Sequence, residues 1–323
     1  MAKIGTDISD AAKLLKAGEV VAIPTETVYG LAGNAFSPAS ILSIFEKKKR
    51  PSFDPLIAHI DSIDKVKKCV QKIPNQTRYL MEKFWPGPLT IVLPKSDLIP
   101  DEMTSGLDTV AVRMPNHPLT LRLLSQLDFP LAAPSANPFG YISPTNAQHV
   151  KDQLDNEVDY ILDGGECQIG VESTIIGFEN KKVTIFRQGK ITKEDIERCL
   201  GQQVQVQVNV NNSSNPQAPG MLKSHYAPKC QLIMGNIKEL AHKYQDKKIG
   251  IISFKGELGL DLKKGSVHMM LSPKGYVEEA ARQLFSILRK LDQENLDLII
   301  GEYIPDKGIG KAVNDRLRRA AAH

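Results

Sequence analysis

The spacing of apolar positions changes character repeatedly along this chain. Ile8, Ala11, Ala12, Leu14 and Leu15 recur at helical intervals and Gly18 follows, which predicts a helix over 8–17 with a glycine stop. Val20-Val21-Ala22-Ile23 is a short continuous apolar run closed by Pro24, the pattern of a buried strand. Ser37-Pro38 opens a second helix, a capping hydroxyl followed by a proline in the first turn. Its apolar face is Ile41, Leu42, Ile44 and Phe45, and it runs into Lys47-Lys48-Lys49-Arg50 before Pro51 stops it. Strands are predicted at 56–60, 89–93, 109–114, 131–133, 160–162, 173–176 and 183–186, and helices at 76–84, 117–127, 145–154 and 192–200. Thr192 and Asp195 have the spacing of a capping box. This alternation predicts an α/β domain over 1–201, a twisted mixed sheet covered by helices.

The pattern then breaks. Residues 202–215 are rich in Gln, Asn, Ser and Val without a helical period, and Pro216, Pro219 and Gly220 follow, so 202–229 is a linker by composition. Its last part, Met221 to Pro228, is a dense mixture of Leu, Lys, Ser, His and Tyr that is suited to touching something. After it the alternation resumes, with strands at 231–234, 248–253, 267–270 and 297–300 and helices at 236–245, 275–291 and 311–321. Residues 230–323 are therefore expected to form a small, doubly wound, Rossmann-like α/β domain.

Composition narrows the class. The 323 residues, 41% of them hydrophobic, are enough for two cores. A net charge of +4 permits a nucleic-acid or phosphorylated ligand without requiring one. Aromatic residues, at 6%, are too few for an extended base-stacking platform. Cys69, Cys167, Cys199 and Cys230 are scattered, as reduced cytosolic thiols are. No apolar leader is visible, and no window approaches the roughly 18 apolar residues that span a bilayer. A soluble, cytoplasmic protein without a membrane contact is expected.

The segments that could carry chemistry are loops following strands, where open α/β sheets bind their ligands. Lys48 and Arg50 read as a solvated cationic helix end, a nucleic-acid patch, or a clamp for a polyphosphate. Arg113 ends an apolar strand, and is suited either to pairing with Asp108 or Glu102 or to a bidentate hold on a substrate carboxylate. Ser135 and Asn137 fit an ordinary turn or donation to phosphate or carboxylate oxygens. A nucleophilic serine is disfavoured because GxSxG is absent. His59, alone at a strand end, reads first as structural, and no histidine pair has zinc-ligand spacing. There is neither a P-loop nor GxGxxG after the first strand, and Gly308-Ile309-Gly310-Lys311 reads as a structural turn.

Taken together, the loops resemble the YrdC-like threonylcarbamoyl-adenylate synthases. The matching stretches are PTETVYGL (24–31), KKRP with DPLIAHI (48–60), FWPGPLTIVL (84–93), GLDTVAVRMPNHP (106–118), PLAAPSANPFGYISPT (130–145), DGG with GVESTII (163–176) and FRQG (186–189), in order. APGMLKSHYAP (218–228) and GKAVNDRLRRAA (310–321) resemble the long form, with its additional C-terminal domain.

The resemblance implies joining of L-threonine, bicarbonate and ATP into threonylcarbamoyl-AMP and pyrophosphate, the activated precursor of threonylcarbamoyladenosine in ANN-decoding tRNAs. It implies Mg2+ accompanying ATP, and a separate tRNA threonylcarbamoyl-transferase complex downstream. Its Lys-x-Arg with Ser-x-Asn signature falls on Lys48, Arg50, Ser135 and Asn137. ATP contacts would be Lys48, Arg50, Asp54, Thr109, Ser135, Ser143, Arg187 and Tyr226; threonine contacts would be Thr27, His59, Arg113, Ala133 and Ser173. Many relatives carry Asn where Asp54 stands, so this carboxylate is better suited to acting through magnesium or water than to facing phosphate directly. The segment 216–228, with His225 and Tyr226, is a candidate lid. The competing readings are a double-stranded RNA or tRNA-binding module without catalysis, for which the basic balance leaves room for a weak tRNA contact, and a carbamoyl-adenylate enzyme for another acceptor, as in hydrogenase maturation. The latter carry acylphosphatase-like and zinc-finger segments that are not seen here.

Overall fold

The computed structural model of the chain describes residues 1–179, 182–206, 218–222, 224–256 and 258–322. The predicted linker over 207–217 lies outside the described residues. Among the described residues one sheet has eleven strands: β1 (Lys3–Gly5), β2 (Val21–Ile23), β3 (Gly30–Asn34), β4 (Ile57–His59), β5 (Leu89–Pro94), β6 (Thr109–Arg113), β7 (Leu131–Ala132), β8 (Tyr160–Leu162), β9 (Thr174–Glu179), β10 (Lys182–Arg187) and β11 (Gln205–Val206). Their spatial order is β1-β8-β2-β3-β7-β4-β6-β5-β9-β10-β11, with parallel and antiparallel pairs mixed, as the alternation predicts. The helices are α1 (Ile8–Lys16), α2 (Pro38–Lys48), α3 (Ile63–Cys69), α4 (Asn75–Phe84), α5 (Asp101–Thr104), α6 (Pro118–Ser125), α7 (Ala147–Leu154) and α8 (Lys193–Leu200). Ser37 caps α2, and Thr192 and Asp195 close the expected capping box on α8.

Side-chain parity explains the layers. In β2 Val21 and Ile23 join one apolar cluster and Ala22 another; in β8 Ile161 faces opposite Tyr160 and Leu162. One face of the sheet carries a continuous core with α2 and α4. The opposite face is covered by α1 and α6 over β2, β3, β7 and β8. Over β4, β5, β6, β9 and β10 it carries a smaller cluster, Ile57, Val92, Ala111, Ile175 and Phe186, which Ala218 and Met221 of the linker cover. The cleft described below opens on this half-covered face.

Strand β3 was not expected, because GLAGN lacks β-branched residues. Its glycines suit close approach: a Cβ on Gly30 would stand 3.1 Å from Ala133 Cβ, and one on Gly33 3.2 Å from Ile44 Cδ1. The short elements β1, α3, α5 and β11 were also not foreseen from the pattern.

The second sheet is all parallel, in the order β12 (Leu232–Met234), β15 (Leu298–Gly301), β13 (Ile249–Ser253) and β14 (Val267–Met270). Helix α9 (Ile237–Lys243) packs on the face presenting Ile249, Ile251, Leu298 and Ile300. Helices α10 (Val277–Gln293) and α11 (Gly310–Ala320) pack on the face presenting Ile252 and Ile299. That second core also takes in Val28, Ile142, Ile169 and Val171 of the larger lobe, so the two lobes share apolar interior. Arg289 of α10 is buried there and donates to the carbonyls of Ile142 and Ser143.

Gly170 packs directly against α10 of the smaller lobe. Its φ is +82°, and a Cβ would lie 2.5 Å from Arg282 Cα and 2.6 Å from the Ala281 carbonyl oxygen, both on α10. Gly140, with φ +79°, has nothing within 4 Å of such a Cβ. Gly140→Ala is therefore expected to cost about 1–2 kcal/mol of left-handed strain alone, and Gly170→Ala about 3 kcal/mol or more because the lobes must also separate. Urea denaturation of both variants checks the difference; equal costs would contradict the packing argument.

Candidate active site

The cleft is walled by β-strand ends, their following loops and the linker. Its first wall is the turn between β2 and β3. Thr25 Oγ1 accepts from the amides of Thr27 and Val28, which closes the turn and presents Thr27. The parallel pairing of β4 with β6 sets His59 beside Arg113. Arg113, 4% exposed, donates from Nε to the Gly87 carbonyl at 3.3 Å and from Nη1 to Thr27 Oγ1 at 3.0 Å. Its Nη2 lies 2.7 Å from Glu26 Oε1 without the angle of a hydrogen bond. The partner is thus Glu26, not Asp108 or Glu102. Asp108 precedes the opposite end of β6 and Glu102 lies on α5, whereas Glu26 lies on the turn against which the carboxyl end of β6 packs.

The second wall comes from the end of α2. Lys49 takes a left-handed conformation, φ 51°, and ends the helix, so that Lys48 and Arg50 turn inward while Lys49 stays exposed. A solvated cationic helix end is therefore excluded for these two. Lys48 Nζ donates to the carbonyls of Ser135, at 2.5 Å, and Asn137. Arg50 donates from Nε to the Asp54 carbonyl and from Nη2 to the Pro55 carbonyl, each at 3.0 Å, and Nη2 stands 2.9 Å from Asp54 Oδ2. Burial pushes the pKa of Lys48 well down, and the adjacent Arg50 charge adds to this; burial likewise lowers Arg50. Asp54 is pushed up by burial, against the pull of Arg50 and Lys48.

The third wall is β10 and the linker. Arg187 donates from Nε to the Ser173 carbonyl at 3.1 Å, from Nη2 to Ser173 Oγ at 3.1 Å and from Nη1 to the Pro219 carbonyl at 3.2 Å. Ser173 Oγ is in turn 2.7 Å from Thr90 Oγ1. Tyr226, at φ 67°, and His225 close the cleft, their rings 4.1 Å apart.

Of the residues expected from the sequence, Thr27, Arg50, His59, Arg113, Ala133, Ser135, Arg187 and Tyr226 line the cleft. Lys48, Asp54, Asn137, Ser143 and Ser173 stand behind that lining, hydrogen-bonded or paired into its loops. Thr109 is not in the lining. It shares a face of β6 with Ala111 and Arg113, but lies four residues from the latter, about 13 Å along the strand, and Met221 and Ala218 cover the strip between. Residues that sequence reasoning did not single out are Glu26, inside a quoted motif, Glu172, which lines the cleft, and Arg316 behind it. Glu26 and Glu172 are signalled only by charge inside otherwise hydroxyl-rich or apolar stretches, and Arg316, within the charged helical run Asp315-Arg316-Leu317-Arg318-Arg319, has no such signal. Among the described residues no cluster of three or more His, Cys, Asp or Glu side chains could hold a metal ion, and no helix is long and apolar enough to cross a membrane.

Fold and cleft together define a two-lobed α/β protein whose site gathers hydroxyls and buried guanidinium groups, the latter held by loop carbonyls. Residues 13–189 match the family described as "Telomere recombination" (Sua5, YciO and YrdC), and residues 191–322 match the one described as "Threonylcarbamoyl-AMP synthase, C-terminal domain". A threonylcarbamoyl-AMP synthase of Pyrococcus abyssi is 40% identical over 97% of this chain and 93% of its own length, and one of Bacillus subtilis is 40% identical over 97% and 92%. A crystal structure of P. abyssi Sua5 complexed with L-threonine superposes with a TM-score of 0.91 at 38% identity, covering 99% of this chain and 97% of that one. The chain belongs to the threonylcarbamoyl-AMP synthase family, in its two-domain form. HypF, at 22% identity and a TM-score of 0.50 over 28% of its length, shares the fold alone.

His59 gives this site an acid limit. Burial, reinforced by the Arg113 charge, lowers its pKa from 6.5 to about 3. As pH falls through 6.5 the unfolded chain takes up a proton that folded His59 refuses, so the stability present above 6.5 is lost toward 3. The melting-temperature advantage of wild type over His59→Gln is accordingly expected to shrink from about pH 6.5 to about pH 4. An advantage constant across that window would contradict a neutral, buried His59.

Proposed function

We propose that this protein is a threonylcarbamoyl-AMP synthase that condenses L-threonine, bicarbonate and ATP, releasing pyrophosphate. The observation that carries the reading is the convergence on one cleft of two sets of residues separated in sequence. Thr27, His59, Arg113 and Ala133 are suited to a small amino acid, and Arg50, Ser135, Arg187 and Tyr226 to a nucleotide polyphosphate. In this reading Arg113 holds the threonine carboxylate in a fork, in competition with Glu26. Ser173 and Ser143 act from behind, Ser173 by holding Arg187. Thr109 would meet the far end of the nucleotide once Ala218 and Met221 move off the strip they cover.

The threonine amine captures the carbon of bicarbonate to give a carbamate with loss of water. A carbamate oxygen then attacks the α-phosphorus and pyrophosphate leaves. No protein nucleophile is required. The chain contributes positioning and charge neutralisation: Arg50 and Arg187 face the polyphosphate, and Lys48 with Asn137 shapes the loop that presents Ser135. Mg2+ would arrive with the nucleotide, and Asp54, engaged by Arg50, would reach it only through water. The segment around His225 and Tyr226 excludes water from a readily hydrolysed adenylate. The product would pass to a separate tRNA threonylcarbamoyl-transferase complex in the cytoplasm, and the protein's own contact with tRNA would be weak.

Product analysis with ATP, Mg2+ and bicarbonate, with and without L-threonine, tests this. An AMP-containing product and pyrophosphate that require both threonine and bicarbonate are expected. ADP and phosphate formed without threonine, or no turnover, would move an RNA-binding reading to the front. Arg113→Lys keeps a charge for Glu26 but loses the fork, and is expected to raise the threonine KM by roughly 10-fold or more while the ATP KM changes little.

A further inference from the structure

Arg316 heads the largest fully buried side chains among the described residues, and it belongs to the smaller lobe, on α11. Its guanidinium nevertheless reaches the cleft wall of the larger lobe. Nε donates to Glu172 Oε2 at 2.9 Å, across 144 residues of sequence, and Nη1 donates to Asp315 Oδ2 at 2.9 Å. Its central carbon lies 5.2 Å from the ring centre of Tyr226, which lines the cleft from the linker. The other oxygen of Glu172, Oε1, accepts from Ser143 Oγ at 2.6 Å. One cation thus joins the smaller lobe, the linker and the catalytic lobe at a single point.

Glu172 is otherwise out of place. It is a carboxylate in the wall of a cleft whose other charged lining groups include Arg50, Arg113 and Arg187. A bare negative charge there would repel a polyphosphate. It would also draw on Arg187, which lies within electrostatic reach of both Glu172 and Arg316. Burial opposes the charge on Arg316, but Tyr226, Glu172 and Asp315 outweigh that and hold its pKa above the ordinary value, so it stays a cation at every working pH.

We propose that Arg316 is a positioning residue for the nucleotide: it cancels the charge of Glu172, fixes the Glu172–Ser143 hydrogen bond and keeps Glu172 from drawing on Arg187 in the cleft wall. The smaller lobe is on this account a working part of the nucleotide site. The inference rests on the cleft's reading as an ATP site, and the test separates the two.

ATP and L-threonine affinities are measured separately by calorimetry on the full chain, without bicarbonate, so that no turnover intervenes. Arg316→Met is expected to weaken ATP binding by roughly 10- to 100-fold, the range of a lost charge-assisted contact, with threonine binding within about 2-fold. Arg316→Lys should lose less. Adding Glu172→Gln to Arg316→Met removes the unpaired carboxylate, and should recover roughly 10-fold of the ATP affinity. Unchanged ATP affinity in Arg316→Met would overturn the proposal. So would a parallel loss of both ligands and of thermal stability that Glu172→Gln does not recover, because that is the mark of a scaffold only. If Arg316→Met does not fold, Arg316→Lys and the double variant carry the same comparison. Wild type that binds threonine but no ATP would overturn the nucleotide reading itself.

Discussion

Buried positive charge is the constraint on which this structure turns. Lys48, Arg50, Arg113, Arg187 and Arg316 are each less than a tenth exposed, and all stand in or immediately behind one cleft. Removing a charge from water costs several kcal/mol unless acceptors replace the water. The fold supplies them mainly as backbone carbonyls, those of Ser135 and Asn137 for Lys48, Asp54 and Pro55 for Arg50, Gly87 for Arg113, and Ser173 and Pro219 for Arg187. Carboxylates complete the set at Glu26, Asp54, Glu172 and Asp315. Loops rather than strand interiors can offer free carbonyls, because a strand interior spends its own on the ladder.

That requirement accounts for the shape of the loops. The Ser135–Asn137 turn points two carbonyls at Lys48, the Thr25-closed turn presents the Thr27 hydroxyl to Arg113, and the left-handed Lys49 turns Lys48 and Arg50 inward. Burial lowers the pKa of Lys48, Arg50 and Arg187, so the cleft holds its charge at a cost that a bound polyanion would offset. Preorganised donors of this kind need little rearrangement when charge develops on phosphorus.

The two lobes cannot be treated as a catalytic half and an accessory. Val28, Ile142, Ile169 and Val171 lie in the same apolar core as α10 and α11, Arg289 satisfies carbonyls of the 142–143 loop, and Arg316 reaches Glu172. The linker between them covers sheet residues beside the cleft with Ala218 and Met221 and lines the cleft with Pro219, Gly220 and Tyr226. Movement of either lobe is therefore coupled to the size of the site.

Local periodicity was enough to determine most elements, their faces and the α/β class, because the spacing of Ile41, Ile44 and Phe45 or the run Val20–Ile23 fixes which side of an element is apolar whatever its partners. The loop motifs likewise marked the cleft, since turn chemistry and charge beside a short apolar strand are local properties. Strand β3 escaped because two glycines carry no such signal, and its place follows from what packs against them. The pairing of Arg113 with Glu26, the inward turn of Lys48, the covering of the strip toward Thr109 and the reach of Arg316 to Glu172 were decided only by tertiary structure. Each depends on two segments 87 to 144 residues apart meeting, or on a backbone angle at one residue. A chain pattern states which groups must be satisfied, but not which distant atoms will satisfy them.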